Sequence, residues 1–428
     1  MASADVVSQA GPGGCPVVHG FDPMNPGQID DPGPLTAIAR REAPVFFAPA
    51  FGCYVVTRHA DVARIMSDMR LFRGLSLTEL EVPERAADVL PQGFLGRRAG
   101  MLAWNDPDEH SRIRKLAQRA FTRKAALANE PRIRALFDAP VDVFIADGEA
   151  DLLPVFARRC PMRVMTAILG IDPAVEDRLH TWTRDTMRLM GDPTLDEAAL
   201  VELAHRQADF ERFVTDLIAE RRAAPRPEGD LISDLLRSQD DEGGRGLDDE
   251  EIFATIALSI VAGGDTSVNL IGQLVARMLA DGGDLWRSID ADRSRLDLVI
   301  EEELRHSHVG RLAFRRPAQD VEVGGVGIPA GSLIALHFWS TGRDEDVFED
   351  PDRFDPDRGN LERHLGFGRG ARFCMGAPLA RLETRVAIEC LLERLPNPRL
   401  VPGHHVRREI SIAIPSLLDG LVVAWDVA

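Results

Sequence analysis

Phe367-Gly368-Arg369-Gly370-Ala371-Arg372-Phe373-Cys374-Met375-Gly376, near the end of the chain, constrains the fold more than any other stretch. A glycine-punctuated turn leads into a single cysteine. Beyond it Met375, Leu379, Leu382 and Val386 recur at steps of four, three and four, an apolar helical stripe. The spacing predicts a helix that opens at Cys374, where unpaired N–H groups and the helix dipole favour an anion. With Arg369 and Arg372 alongside, these features favour thiolate, the form that ligates metal. Glycines at 366, 368, 370 and 376 let the backbone approach a flat object without Cβ contacts. The competing reading is a buried free cysteine at the start of a core helix.

At 428 residues and 45% hydrophobic content, the chain can bury a large core. A net charge of −18 argues against nucleic acid or an anionic membrane surface as a bulk partner. No run of about 18 or more apolar residues appears, so no membrane span is expected. Met1 to Asp31 is rich in Gly, Pro, Ser and Ala and lacks the charged-then-apolar layout of a secretory signal. The expectation is a cytoplasmic protein with a flexible lead over 1–30 and a single domain over 31–428. The five cysteines, Cys15, Cys53, Cys160, Cys374 and Cys390, are scattered and odd in number, which points away from a disulfide framework or a zinc knuckle.

Pro44 to Thr57 carries two β-rich runs, Val45-Phe46-Phe47 and Tyr54-Val55-Val56, split by Pro49 and Gly52, and predicts a small hairpin. Ala60 to Met69 is helical in pattern, and Leu71 to Gly100 is irregular, either a binding loop or a surface excursion. Asp106-Pro107-Asp108-Glu109 is a helix start, after which His110 and Arg114 fall on one face at i and i+4. Arg112, Lys115, Arg119, Arg123 and Lys124 make this helix basic inside an acidic protein, a docking face for an acidic partner. Residues 131–238 are mostly helical, with breaks near Gly148, Asp172-Pro173, Gly191-Asp192-Pro193 and Pro225 to Gly229.

A long helix is expected from Asp248 to about Ala280, with Ala262-Gly263-Gly264-Asp265-Thr266-Ser267 in its middle. Interior glycines cost roughly 1 kcal/mol each relative to Ala, so they invite a reason. It is either a helix crossing with a capped bend, or a local opening held by a bond from the Thr266 hydroxyl to the Ala262 carbonyl. Glu302 and Arg305 stand one helical turn apart, and short strands are expected over 321–326, 328–331, 333–339 and the tail 410–425.

Taken in order, Asp-Pro-x-x-His, Ala-Gly-x-Asp-Thr, Glu-x-x-Arg, the Arg358 meander (Phe354-Asp355-Pro356-Asp357-Arg358) and Phe-Gly-x-Gly-x-Arg-x-Cys-x-Gly resemble the motifs of the cytochrome P-450 superfamily, soluble bacterial type. The resemblance spans roughly residues 45 to 395. It implies a mainly α fold with a smaller β region and haem b, iron protoporphyrin IX, between the Thr266 helix and the cysteine loop. Cys374 would be the axial thiolate. His110, Arg114, and Arg315 or Arg316 would meet the haem propionates; the count back from Asp320 and strand alternation favour Arg315. Arg372, Phe367, Gly368, Ala262 and Gly263 would also contact the cofactor. Thr266 would position the dioxygen proton network and Asp265 relay protons to it. Glu302, Arg305 and Arg358 would form a structural triad, and Val261, Val309 and Leu417 would line the substrate pocket.

The function implied is insertion of one oxygen atom of O2 into a small organic substrate, by hydroxylation or oxidative dealkylation. Electrons would come from a separate ferredoxin and ferredoxin reductase, docking on Arg112, Lys115, Arg119 and Arg369. A peroxide-driven haem enzyme or a non-enzymatic haem sensor would share Cys374, but neither has use for the Asp265-Thr266 pair. The sequence departs from the family at His306-Ser307-His308-Val309-Gly310-Arg311, where an apolar residue and a proline are expected. There, or at Arg97, a substrate carboxylate or hydroxyl could be bound; the alternative is a solvated segment.

Overall fold

The structure, a computed structural model, describes residues 6–23, 25, 27–28, 31–74, 106–189, 192, 195–225, 230–238, 245–403, 408–409 and 417–427; at 120, 281, 408, 409 and 417 only the backbone is described. The chain packs as two compact units, each with its own core. The first draws on 1–75, 294–374 and 407–419; the second on 76–293, 375–406 and 420–428.

The first unit is built on a mixed sheet. Its strands are β1 (Val7–Ser8), β2 (Val17–Val18), β3 (Val45–Ala48), β4 (Cys53–Val56) and β5 (Phe72–Gly74), with β6 (Glu149–Asp151) belonging to the second unit, and then β7 (Leu312–Pro317). β8 (Val321–Val323) and β9 (Val326–Ile328) form a separate hairpin, and β10 (Ile334–His337) completes the sheet in the order β1-β2-β3-β4-β10-β7-β5. The predicted hairpin is β3–β4, with Val45 opposite Val56 and Phe47 opposite Tyr54. Period-two alternation puts Val45, Tyr54, Val56 and Ile334 in the core on one face, and Phe46, Ala48, Val55 and Ala335 in the core on the other. The lead is not a loose tail over 6–23. β1 pairs with β2, Val17 with Phe47, and Val6, Val18 and Phe21 are buried in the second of those cores. Their apolar side chains cover a sheet face that would otherwise be wet.

Helices α1 (Gly33–Glu42) and α2 (His59–Ser67) also belong to this unit. The second unit is helical: α3 (Pro107–Ala117), α4 (Glu130–Phe144), α5 (Arg159–Leu169), α6 (Glu176–Leu189), α7 (Glu197–Ala223), α8 (Asp249–Gly263) and α9 (Asp265–Leu279). α10 (Leu296–His306) returns to the first unit, and α11 (Ala377–Arg394) to the second. Three short strands, β6 (Glu149–Asp151), β11 (Arg399–Leu400) and β14 (Val422–Ala424), pair in the order β11-β14-β6. The terminal pair of the first unit is β12 (Arg408–Glu409) with β13 (Leu417–Leu418).

The long central helix is two helices. α8 opens with a full capping box, Asp248 and Glu251 each accepting the other's backbone N–H. It ends where Gly264 leaves the helical region at φ −73, ψ −89. Residues 249–279 are long and apolar enough to cross a membrane, but 72% of the most apolar window is buried in the protein. This is a core helix pair.

Candidate functional site

In the first unit the cysteine loop is closed by its own backbone: the Cys374 N–H donates to the Phe367 carbonyl at 2.8 Å. A 3-10 turn, Gly370–Arg372, precedes it, and α11 starts only at Ala377 with Pro378 in its first turn. Cys374 therefore lies ahead of the helix instead of opening it, because proline is accommodated at a helix start. It is exposed, whereas Cys15, Cys53, Cys160 and Cys390 are all buried. Phe367 and Phe373 meet edge-on at 6.3 Å.

The glycines of this loop also lie close against the protein around them. Gly368 and Gly370 sit at φ +74 and +73, and a Cβ on Gly368 would stand 2.8 Å from Met66 Cε at the end of α2. A Cβ on Gly366 would stand 2.9 Å from His364 Nδ1.

Two guanidiniums follow. Arg315 on β7 and Arg372 in the loop are both pushed down to about 10 by burial, Arg315 also by repulsion from Arg372. Among the described residues no carboxylate pairs with either, and Arg372 Nε, a buried atom, has no partner. Two desolvated like charges without a counter-ion call for an anion. The carboxylates of haem propionates have the required charge, and Cys374 is an accessible sulfur ligand, so the residues present fit haem. Arg316 points elsewhere, donating to the Gly331 carbonyl at 2.6 Å.

A buried ion-pair network braces the chain leading to this loop. Glu302 on α10 takes two bonds from Arg305, at 2.6 and 2.7 Å, and one from Arg358 Nε at 3.3 Å. Arg305 also donates to the carbonyls of Pro351 and Arg353, and Arg358 to those of Asp350 and Arg353, so the meander is pinned by its own backbone oxygens. A second tie was not visible in the sequence. His364 Nδ1 accepts from the Gly366 N–H at 2.9 Å, and Nε2 bonds Glu301 at 2.9 Å, joining the loop to α10.

The divergent segment is not solvated. His308 is buried, held at φ +51 and stacked on Phe338 with ring centroids 5.4 Å apart. Burial lowers its pKa to about 3, so it is neutral. Arg311 is also buried and reaches the Gln28 carbonyl at 3.3 Å. Val309 is half-buried. Arg97, with the rest of 75–105, lies outside the described residues, and only the backbone of Leu417 is described, in β13.

In the second unit α3 forms as expected, with Asp106 capping through the Asp108 N–H and Pro107 in the first turn. His110 is buried and Arg114 half-buried on the same face. Arg112 is not a free docking charge. It pairs with Glu109 at 2.9 Å and with Glu251, which is fully buried and also bonded by Arg245 at 2.7 Å.

The α8–α9 break combines both readings of its glycines. A Cβ on Gly263 would stand 2.4 Å from Met165 Cε, and one on Gly264 3.1 Å from Met162 Cε, so α5 crosses here. The bend is real too: the Thr266 hydroxyl donates to the Ala262 carbonyl at 2.6 Å. Ala262 is exposed and Gly263, Asp265 and Thr266 partly so, on a helix pair whose other residues, Val261 included, are mainly buried. Beside them Glu383 of α11 is buried and bonded to Ser267, and burial raises its pKa to about 8, so it is protonated at neutral pH. A glutamate in a helix of mixed composition carries no sequence signal of burial.

A family model described as Cytochrome P450 matches residues 291–396. Cytochrome P450 107B1 of Saccharopolyspora erythraea is 35% identical over 349 residues, covering 81% of this chain and 83% of its own. Mycinamicin IV hydroxylase/epoxidase of Micromonospora griseorubida is 33% identical, covering 88% and 91%. The solved cytochrome P450 CREJ in complex with (4-ethylphenyl) dihydrogen phosphate superposes with a TM-score of 0.87 at 26% identity, covering 95% of this chain and 100% of that one. With identity sustained over that much of both chains, the chain belongs to the cytochrome P450 family and is a haem-thiolate monooxygenase of organic substrates.

Proposed function

We propose that the protein hydroxylates, or oxidatively dealkylates, a small organic substrate with O2 and electrons from a ferredoxin and its reductase. Bound haem supplies the reductive activation of O2; the chain binds, orients and delivers protons. Cys374 would ligate the haem iron, and Arg315 and Arg372 would meet a haem propionate; His110 and Arg114 of α3 are assigned to the propionates as well. Glu302, Arg305 and Arg358 keep the meander in place. The observation that carries the reading is the Thr266 hydroxyl bonded across the α8–α9 break, next to the Asp265 carboxylate. On the carbonyl of Ala262 that hydroxyl is held in one orientation, able to pass a proton onward, while Asp265 exchanges protons with water. Val261 and Ala262 supply apolar wall to the substrate pocket, and such a wall keeps water from competing with the substrate.

To test this, a compound library is screened for a ferric spin-state shift, and hits are incubated with ferredoxin, reductase, NADPH and ¹⁸O2. One labelled oxygen in the product is expected. Product formed with hydrogen peroxide alone, and not with the electron-transfer proteins, would overturn the proposal in favour of a peroxide-driven enzyme.

A further inference from the structure

α10 passes into β7 through a turn at His308, one of three residues other than glycine that hold a positive φ among those described. Such a backbone persists only where its surroundings fix it. Here the fixing contact is a ring face. The imidazole is 1% exposed and lies parallel to Phe338, with 5° between the planes and 5.4 Å between centroids. Neither ring nitrogen has a hydrogen-bond partner among the described residues. That is tolerable for a neutral ring, whereas an imidazolium would carry a charge and two buried N–H donors.

The groups packed around His308 add to that cost. His337 at the end of β10, His364 at the start of the cysteine loop and His59 at the start of α2 all oppose a charge on it; the Gly310 main chain favours one. All of them lie in the first unit. His337 Nδ1 accepts the Ser340 N–H at 3.2 Å, a cap that only an unprotonated nitrogen can give, and Arg311 and Arg40 bear on the same ring. His59 faces Asp344, Arg363 and Arg369. His364 is tied to Glu301 and to the Gly366 N–H, and His306, two residues before His308, is tied to Arg343.

We propose that His308 is an acid latch on the unit that carries Cys374. Neutral and stacked, it fixes the turn that leads into β7, the strand of Arg315. Protonated, it leaves Phe338, the turn opens, and haem escapes reversibly in mild acid. The sign follows from burial, which lowers the folded pKa from 6.5 to about 3. The opened turn binds the proton and the closed turn does not, so the latch is at full strength above pH 6.5. It weakens about tenfold per pH unit as the pH falls from there towards 3. The inference rests on the haem reading of Cys374 and Arg315.

The test compares wild type with His308→Phe, which keeps a ring on Phe338 but takes no proton, and with His308→Asn, which suits the left-handed backbone. Either variant suffices if the other fails to fold. His180→Gln is the control, since burial also lowers the pKa of that histidine, on α6 of the second unit. The first readout is haem transfer from the ferric holoprotein to apomyoglobin at pH 7 and pH 5. The ratio of the pH 5 rate to the pH 7 rate should be about tenfold larger in wild type than in the His308 variants, and His180→Gln should keep the wild-type ratio. The second readout needs no haem: in guanidinium unfolding of the apoprotein, the His308 variants should lose less stability than wild type between those two pH values. Equal ratios in wild type and the His308 variants, or a ratio flattened only by His180→Gln, overturn the latch. The ferrous–CO spectrum at pH 7 separates the two readings. A thiolate band with equal ratios faults the latch alone; no thiolate band in wild type faults the haem reading beneath it.

Discussion

If Arg315 and Arg372 hold the haem propionates as proposed, the site is a matter of charge before it is one of shape. Each keeps its proton at neutral pH despite being pushed down to about 10. In the apoprotein both are therefore cations with no counter-ion among the described residues. Removing one should stabilise the empty protein and weaken its grip on haem. Arg372→Met is expected to raise apoprotein stability by on the order of 1 kcal/mol, after allowing for its partial exposure, and to speed haem loss to apomyoglobin by roughly tenfold. A variant that loses stability in both states would refute the charge argument. Glu383 makes the opposite kind of statement. Its folded pKa, about 8, lies above the ordinary carboxyl value of 4.5, so its contribution is fully present below about 4.5 and is lost as pH rises towards 8. Glu383→Gln should remove that slope. In guanidinium titrations at pH 5 and pH 8, the variant should gain on the wild type at the higher pH.

The elements around the loop are joined by contacts that tolerate little. A Cβ on Gly342 would stand 2.0 Å from the Arg305 carbonyl oxygen, at the point where the short helix Phe338–Thr341 passes the end of α10. Gly342→Ala should cost about 3 kcal/mol by overpacking, while Gly359→Ala, with nothing within 4 Å, should be nearly neutral in the same thermal melts. Glu302→Ala should cost more still, about 3–5 kcal/mol, by leaving Arg305 buried without its carboxylate. What the sequence disclosed at this scale was whatever periodicity or a paired motif encodes. The β3–β4 alternation, the α3 start signals and the bond from Thr266 to Ala262 were all legible. The strands β1, β2 and β6 were not, since each is only two or three residues long and none contains a repeat from which a period can be read. The tie from Glu301 through His364 to Gly366 was hidden for another reason. It spans 63 residues of chain, and an exposed Glu–His pair looks the same in sequence as a buried one. The position of Cys374 was misjudged by three residues because the apolar stripe continues back through Met375 while Pro378 moves the helix start to Ala377.

For the molecule as a whole, a net charge of −18 repels an acidic electron donor except where basic residues are locally concentrated. α3 is such a place, but its charges differ in what they are for. Lys115 and Arg119 are exposed, whereas Arg112 is committed to Glu251, a carboxylate with no exposure of its own. Reversing the sign at these positions should therefore produce two different failures. Lys115→Glu with Arg119→Glu should leave the thermal midpoint within a degree or two and slow reduction by an acidic ferredoxin about tenfold at low salt. The deficit should shrink as ionic strength rises past 0.1 M, where the Debye length falls to about 10 Å. Arg112→Glu should instead place two acids side by side at the first turn of α8, with Glu251 unable to reach water. Its signature is a lowered melting temperature at every salt concentration, since a buried pair is little screened. Stopped-flow reduction across a salt series, run beside thermal melts of the same variants, separates these effects. Equal slowing at low and high salt in the Lys115/Arg119 variant would mean that the donor does not use α3.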